Sequence, residues 1–413
     1  MLLKKAKRSF AIVALGVAFE HFDMMLVSLL ASSLAEEFID TSNPMLKLLF
    51  AYLGYAIAFL FRPIGAFCFG CIGDLYGRKA SLISSMSLMS AATFALAFIP
   101  GVHLIGLTSA LLFLLCRIAQ GLAVGGEYGT AMTYSYELND KYRTFFGACV
   151  ISSTHVGGLA ASFLASLYVD NVRMIFLMGG MIGFFLLLFR SSLKEHHTAT
   201  AKKVSEVTEK SIQDKNAIFS ALLVASMMVL VFYGSLIYLN ERVHQDLKIP
   251  RSEIFKSNAF LLSLWIILPP CLGFIADKFN VPYRKLMKFG AAGVFLSAPL
   301  LGSALALASY TVLVLMQILV HLFLMVFALC TPHYFGDLFA GSARNTAIST
   351  TYSIGASFTS ALAPAICHLS IAAFNTNFAI CAPFMFSALA VCIILKKDNI
   401  CQKMTLLNSM TSR

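Results

Sequence analysis

The sequence runs to 413 residues, 59% hydrophobic and 12% charged, with a mean hydropathy of +0.80. An average soluble domain carries roughly a quarter charged residues, so a water-soluble globule is excluded and lipid becomes the solvent for most side chains. The formal charge of +11 does not mark a nucleic-acid binder, because the basic residues sit in short breaks between apolar runs rather than on one face.

Apolar runs of about 20 residues recur along the chain, each long enough to cross a hydrocarbon core of roughly 30 Å as a helix that satisfies its own backbone. The predicted helices lie near 9–34, 46–70, 80–100, 105–135, 145–168, 172–190, 217–240, 257–275, 286–306, 310–332, 345–370 and 373–395. The basic start Lys4-Lys5-Ala6-Lys7-Arg8 imitates a signal peptide, but the apolar run after it is too long and carries Glu20 and Asp23. It reads as an uncleaved first helix, holding Glu20-His21-Phe22-Asp23. The second helix holds Phe61-Arg62-Pro63-Ile64-Gly65, and the loop after it reads Gly70-Cys71-Ile72-Gly73-Asp74-Leu75-Tyr76-Gly77-Arg78-Lys79. Glycines there permit tight helix ends, and the acid and two bases can pair within the turn.

The fourth helix carries Arg117, Gln120, Gly121, Val124, Gly125, Glu127 and Gly129. At 100° per residue, Arg117, Gln120, Val124 and Glu127 share one face, while the three glycines form another with the small-xxx-small spacing that lets a neighbouring helix approach. Charged groups at membrane depth are costly unless paired, so Glu20, Asp23, Arg62, Arg117 and Glu127 are expected to line or brace a central pathway. Arg62 and Glu127, nearer the cytoplasmic side, can instead hold helices together, which leaves Glu20, Asp23 and Arg117 as the better pathway candidates. Three carboxylates against two guanidiniums leave one negative charge unmatched, which points to Glu20, Asp23 or Glu127 as the carrier of a coupling proton. His155 in the fifth helix and His321 in the tenth can titrate near neutral pH or be satisfied by a neighbour.

The stretch 191–216 mixes Lys, Glu, Thr and Ser without apolar periodicity and reads as a cytoplasmic linker. It separates an N-terminal six-helix half, 1–190, from a C-terminal six-helix half with a short cytoplasmic tail, 217–413. The halves echo each other: Gly70-x-x-x-Asp74 recurs 203 residues on as Gly273-x-x-x-Asp277, and Arg143 before the fifth helix recurs 201 residues on as Arg344 before the eleventh. With the N-terminus inside, 23 of the 31 basic residues fall on the inner side, so the positive-inside rule places both termini in the cytoplasm. Duplicated halves around a central path are how many secondary transporters build a site that opens alternately to each side. The ten cysteines lie mostly within apolar runs, where a thiol behaves as a small hydrophobe. Cys68 and Cys71 have CxxC spacing without the second pair or histidine of a metal site, so neither a metal nor a cofactor is expected.

The loop from Gly70 to Lys79 resembles the loop signature of the major facilitator superfamily, in which the acid and arginine latch the cytoplasmic ends of the bundle; Leu75 departs from the usual basic residue. With the motifs of the first, second and fourth helices and the run Arg344-Asn345-Thr346-Ala347-Ile348-Ser349-Thr350-Thr351-Tyr352, the chain is similar to that superfamily's metabolite:proton symporter branch, which includes proline/betaine, alpha-ketoglutarate, citrate and shikimate carriers. The resemblance implies an all-α membrane protein with the major facilitator fold, twelve transmembrane helices in two pseudo-symmetric six-helix halves. It further implies a monomer in the bacterial inner membrane, with a cytoplasmic gate drawn from Gly73, Asp74, Gly77, Arg78, Lys79, Asp277, Arg143 and Arg344. His21 stands where such relatives usually have an aromatic residue. No long coiled coil follows Lys397, so osmosensing of the proline/betaine kind is not expected.

Proton-driven symport of a small metabolite is the leading reading. A zwitterion needs an anion site, for which Arg117 can serve beside Gln120, Arg62, Gln317 and His321, and a cation site, for which an acid or an aromatic face can serve. The zwitterion is preferred to a di- or tricarboxylate, which would favour surplus positive charge. Exchange stays open, although His155-Val156-Gly157-Gly158 lacks the proline of the antiporter signature, and so does a receptor that has lost turnover. The sequence holds no HExxH, GxGD or serine–histidine arrangement of an intramembrane protease, so an enzyme is not expected.

Overall fold

A computed structural model describes residues 2–40, 44–168, 171–193, 206, 214–339 and 341–411. Among these residues twelve helices are long and apolar enough to cross a membrane. In chain order they are α1 Ser9–Leu29, α2 Leu53–Tyr76, α3 Arg78–Phe98, α4 Leu107–Leu138, α5 Asp140–Ala165, α6 Val172–Ser191, α7 Lys215–Leu247, α8 Arg251–Lys278, α9 Tyr283–Ala306, α10 Tyr310–Leu338, α11 Arg344–Phe374 and α12 Asn377–Lys396. Each predicted span has its counterpart; the predicted linker lies largely outside the described residues.

Two predicted ends move for local reasons. The first span stops at Leu29, and a short separate helix, Ala31–Phe38, follows it. At the other, polar sequence continues the helices beyond their apolar stretch, so α7 runs through Glu241 and α8 begins at Arg251 rather than near 257. Lys248 ends α7 in the left-handed conformation, φ 56, and Pro250 precedes α8.

Packing repeats between the halves. α1 lies on α5 as α7 lies on α11, and α3 lies on α4 and α6 as α9 lies on α10 and α12. The halves meet along two seams, α2 against α11 and α8 against α5, which the repeat exchanges. The end of the bundle where α1 begins and α12 ends is called the terminal face below.

The glycines of α4 let two backbones touch. A Cβ at Gly121 would strike the Ala58 backbone, one at Gly125 the backbone of Arg62 and Ala66, and one at Gly65 of α2 the Leu122 carbonyl. Gly129, farther along the stripe, meets Ser349 of α11 in the other half. One stripe therefore welds α2 to α4 and then admits α11. Gly77 separates α2 from α3 at φ 98, a conformation that costs any other residue a steric clash.

Replacing Gly121 with Leu is expected to lower the thermal unfolding midpoint through overpacking worth about 1–3 kcal/mol. Gly158→Ala, where the nearest atom is Met25 Cγ at 3.8 Å, should leave the midpoint unchanged. Equal midpoints for the two variants would show that the α2–α4 contact tolerates a side chain.

Candidate transport pathway

At the terminal face each half supplies a carboxylate that caps a helix of the other. The first N–H groups of a helix have no partner within it. Asp74, near the end of α2, takes those of α11: Asn345 N donates to Oδ1 at 3.1 Å, and Thr346 N and Oγ1 donate to Oδ2 at 2.8 Å each. Asp277 of α8 accepts from Phe145 N in the first turns of α5 at 2.7 Å. Both acids thereby meet the positive end of a helix dipole.

Charge is shared around Asp74. Arg78 donates to Asp74 at 3.0 Å, to the Gly73 carbonyl at 2.8 Å, and to both oxygens of Glu137 at 2.9 and 3.0 Å. Glu137 also accepts from Arg344, across the seam, at 3.1 Å. Asp337 accepts from Tyr136 of the other half at 2.6 Å and from Tyr283 at 2.7 Å. A Cβ at Gly73 would collide with Asn345 Nδ2, so the bare glycine lets α11 dock. Two expected gate residues bond within their own half: Lys79 donates to the Ser191 carbonyl at 2.6 Å, and Arg143 to Asp140 at 2.6 Å and the Tyr136 carbonyl at 3.3 Å. Sequence reasoning missed Glu137, Tyr136, Asp337, Asn345 and Thr346. Glu137 and Asp337 stand 200 residues apart, so extending the repeat comparison to the ends of the fourth and tenth helices would have found them.

Deeper in the bundle the expected charges divide. Asp23 accepts from Thr93 Oγ1 at 2.5 Å and Gln120 Nε2 at 2.6 Å. Gln120 Oε1 accepts from Arg117 Nη1 at 2.5 Å, and Arg117 Nε donates to the Gly54 carbonyl at 2.9 Å. Asp23, Gln120 and Arg117 are all 0% exposed and stand behind the wall of the cavity described below. In this conformation Arg117 and Gln120, expected to meet the solute, are engaged with Asp23 and with backbone.

Glu127 forms a close two-pronged ion pair with Arg190, joined by Ser85 Oγ at 3.0 Å. Arg190, at the end of α6 and outside the charges expected at membrane depth, is fully buried. It also donates to the Leu82 carbonyl at 2.5 Å, and Gly16 leaves space for its guanidinium. The charge balance is therefore three carboxylates against three guanidiniums, and Glu127 is not the unmatched acid. Gln317 Nε2 donates to the Ser235 carbonyl at 2.7 Å, and His321 lies between Trp265 Nε1 and Ser235 Oγ. These two also stand behind the cavity rather than in its lining.

Two of the six charges remain at the cavity: Glu20 of α1 and Arg62 of α2, 2% and 8% exposed, line a central space of about 170 Å³. Both Glu20 oxygens and Arg62 Nε are without a hydrogen-bond partner among the described residues. His21 Nδ1 stands 3.9 Å from Glu20 Oε1 and 3.2 Å from the Val17 carbonyl. Much of the remaining lining is aromatic, with Tyr55, Phe59, Tyr128, Phe232, Tyr233, Trp265 and Tyr352 joined by His21 and His155. The Arg62 guanidinium lies 5.7 Å from the centre of the Tyr352 ring, and the Tyr128 and Tyr352 rings meet across the halves at 4.7 Å. Exposure of the lining rises away from the terminal face, from 3% at Tyr128 to 42% at Met25.

Latched halves around a central cavity agree with comparison to known proteins. The family model of the Major Facilitator Superfamily matches residues 13–298. The chain belongs to the major facilitator superfamily. It is thus a multi-pass membrane transporter. A Staphylococcus aureus (strain COL) protein provisionally named as a proline/betaine transporter is 28% identical over 382 residues, 88% of this chain and 82% of its own length. The alpha-ketoglutarate permease of Escherichia coli (strain K12) is 27% identical over 312 residues, 72% of each chain. The solved structure of the proton:xylose symporter XylE shares the fold, with a TM-score of 0.79, 14% identity and 96% of both chains covered.

Two tests follow from this geometry. Asp74→Ala should loosen the α2–α11 seam by the worth of a helix cap, so that a cysteine placed at Ser349, in a background stripped of native thiols, reacts about tenfold faster with an alkylating reagent; an unchanged rate removes Asp74 from the latch. Glu127→Leu or Arg190→Leu alone should destabilise the transporter by about 3–5 kcal/mol, and the double replacement by much less, because only the single variants strand a buried charge. Additive losses in thermal unfolding would refute that pairing.

Proposed function

We propose that this transporter is a proton-driven symporter of a small zwitterionic metabolite of the proline or betaine type. In this reading it is a monomer in the bacterial inner membrane with both termini in the cytoplasm, its halves spanning 1–190 and 217–413 around a linker at 191–216. The observation that carries the substrate class is the pair left unsatisfied in the cavity, Glu20 and Arg62, with aromatic rings around them. Arg62 receives the solute carboxylate through charge-assisted hydrogen bonds, and ring faces receive its ammonium. A di- or tricarboxylate needs more than one free cation; two further buried guanidiniums near the cavity, Arg117 and Arg190, are engaged in the wall. The likeness to a relative named for proline and betaine supports the same class, and the likeness to alpha-ketoglutarate permease names the rival to be tested.

Glu20 carries the coupling proton in this scheme. As a carboxylate it competes with the solute's own carboxylate for Arg62; once protonated it no longer does, so proton binding frees Arg62 for the solute. Asp23 and Glu127 suit that role less well, since each already accepts hydrogen bonds inside the wall. The latch at the terminal face closes the cytoplasmic side in this orientation, which makes the described state the one that loads from outside.

Uptake into proteoliposomes with an imposed proton gradient tests the scheme. Labelled proline or glycine betaine is expected to accumulate, and a protonophore to abolish the accumulation. Arg62→Gln should raise KM about tenfold or more, the worth of a charge-assisted hydrogen bond. Glu20→Gln should keep solute exchange but lose gradient-driven accumulation. Accumulation of 2-oxoglutarate or citrate with the zwitterions excluded would overturn the substrate class, and gradient-driven uptake by Glu20→Gln would overturn the proton carrier.

A further inference from the structure

We infer that the indole of Trp265 is the cation-binding wall of the cavity, and that His321 and Ser235 are positioning residues that fix it there. The inference rests on the zwitterion reading and deepens it by assigning the ammonium to one ring.

Among the described lining residues the C-terminal half contributes no charged group, so a cation approaching it is met by ring faces or by nothing. Indole is the strongest cation–π partner among the side chains. Trp265 is the chain's single tryptophan and lies on α8, at a seam between the halves.

Its placement is fixed at three points. Pro269 has no N–H to offer the carbonyl four residues back. The Trp265 carbonyl so released accepts from Ser152 Oγ of α5, in the other half, at 3.0 Å. At the other end of the residue, indole Nε1 donates to His321 Nδ1 at 2.9 Å. An indole nitrogen only donates, so Nδ1 accepts and the imidazole proton sits on Nε2, which faces Ser235 Oγ at 2.7 Å. The Ser235 hydroxyl donates onward to the Val231 carbonyl at 2.5 Å. Ser235 belongs to the π-helical turn Gly234–Tyr238 of α7, and such turns recur where a helix must present a functional group. Third, the rings of His155 and Phe232 flank the indole, with centroids 5.0 and 5.6 Å away. A chain of donors and acceptors running from α8 through α10 to α7 thus sets one ring orientation.

Direct binding to the purified full-length transporter in lipid nanodiscs tests this, using labelled glycine betaine, proline and 3,3-dimethylbutyrate, the uncharged-tail isostere of betaine. Betaine is expected to bind and to change the emission of Trp265 with the same saturation curve as the label, and to bind more tightly than the isostere. Trp265→Leu should weaken betaine about tenfold or more while leaving the isostere unchanged, and Trp265→Phe should weaken betaine less. His321→Phe and Ser235→Ala should each lower the betaine-to-isostere ratio severalfold without changing the number of sites, and His321→Gln, which restores an acceptor for the indole, should recover it. Betaine bound with the same affinity and the same ratio by Trp265→Leu and Trp265→Phe overturns the assignment and leaves the zwitterion reading intact. A ratio untouched by His321→Phe removes the relay. Failure of the wild type to bind betaine or proline overturns the zwitterion reading and this inference with it.

Discussion

Everything in the fold hangs on how helix ends are satisfied where two halves meet. A helix that begins at a seam presents N–H groups with no partner, in a place where water is scarce, and leaving them bare costs about as much as a lost hydrogen bond each. Here the missing acceptor comes from the opposite half, Asp74 for α11 and Asp277 for α5. Because the bond joins halves rather than neighbours, it exists only while the seam is shut. The same groups that complete the secondary structure therefore define a conformational state, and Arg78 joins Asp74 to Glu137, which also accepts from Arg344, so that one charge network spans both halves.

Above the latch, the cavity is defined by subtraction. Apart from Asp74 and Arg78 of the latch, six charged side chains lie buried in the described N-terminal half, and four of them are paired within it, Asp23 and Arg117 through Gln120 and Glu127 directly with Arg190. What is left over faces the empty space. A site built from the two groups that the scaffold declines to neutralise is polar at two points and aromatic elsewhere, the composition that orients a small ligand without holding it too firmly to leave.

The sequence made the solvent, the number of spans and the duplication plain, since a hydrocarbon slab sets helix length and a half-chain repeat leaves similar spacings such as the 203 residues between Asp74 and Asp277. It also showed that Glu20, Asp23, Arg62, Arg117 and Glu127 would avoid lipid. It did not show which of them would face the cavity. Depth in the membrane excludes lipid-facing positions, but the choice between wall and lumen depends on a partner reaching from another helix, as Thr93 does for Asp23 and Arg190 for Glu127. Arg190 is absent from that set because it falls where the apolar run of the sixth helix ends; hydropathy records that boundary and not the side chain's return to the interior. Likewise the π-turn at Gly234–Tyr238 leaves no mark on apolar periodicity, for the residues there are as hydrophobic as their neighbours.

The backbone contact between α2 and α4 has a mechanical side. Arg62 and Asp74 lie twelve residues apart on α2, about 18 Å along a helix rising 1.5 Å per residue. Gly65 and Gly125 hold the first turn of that stretch against α4, and Gly121 meets Ala58 one turn earlier, with no side chains between. Pro63 stands in the first turn of that stretch and removes one of its backbone hydrogen bonds, so the glycine contacts brace α2 against α4 where its own ladder is interrupted.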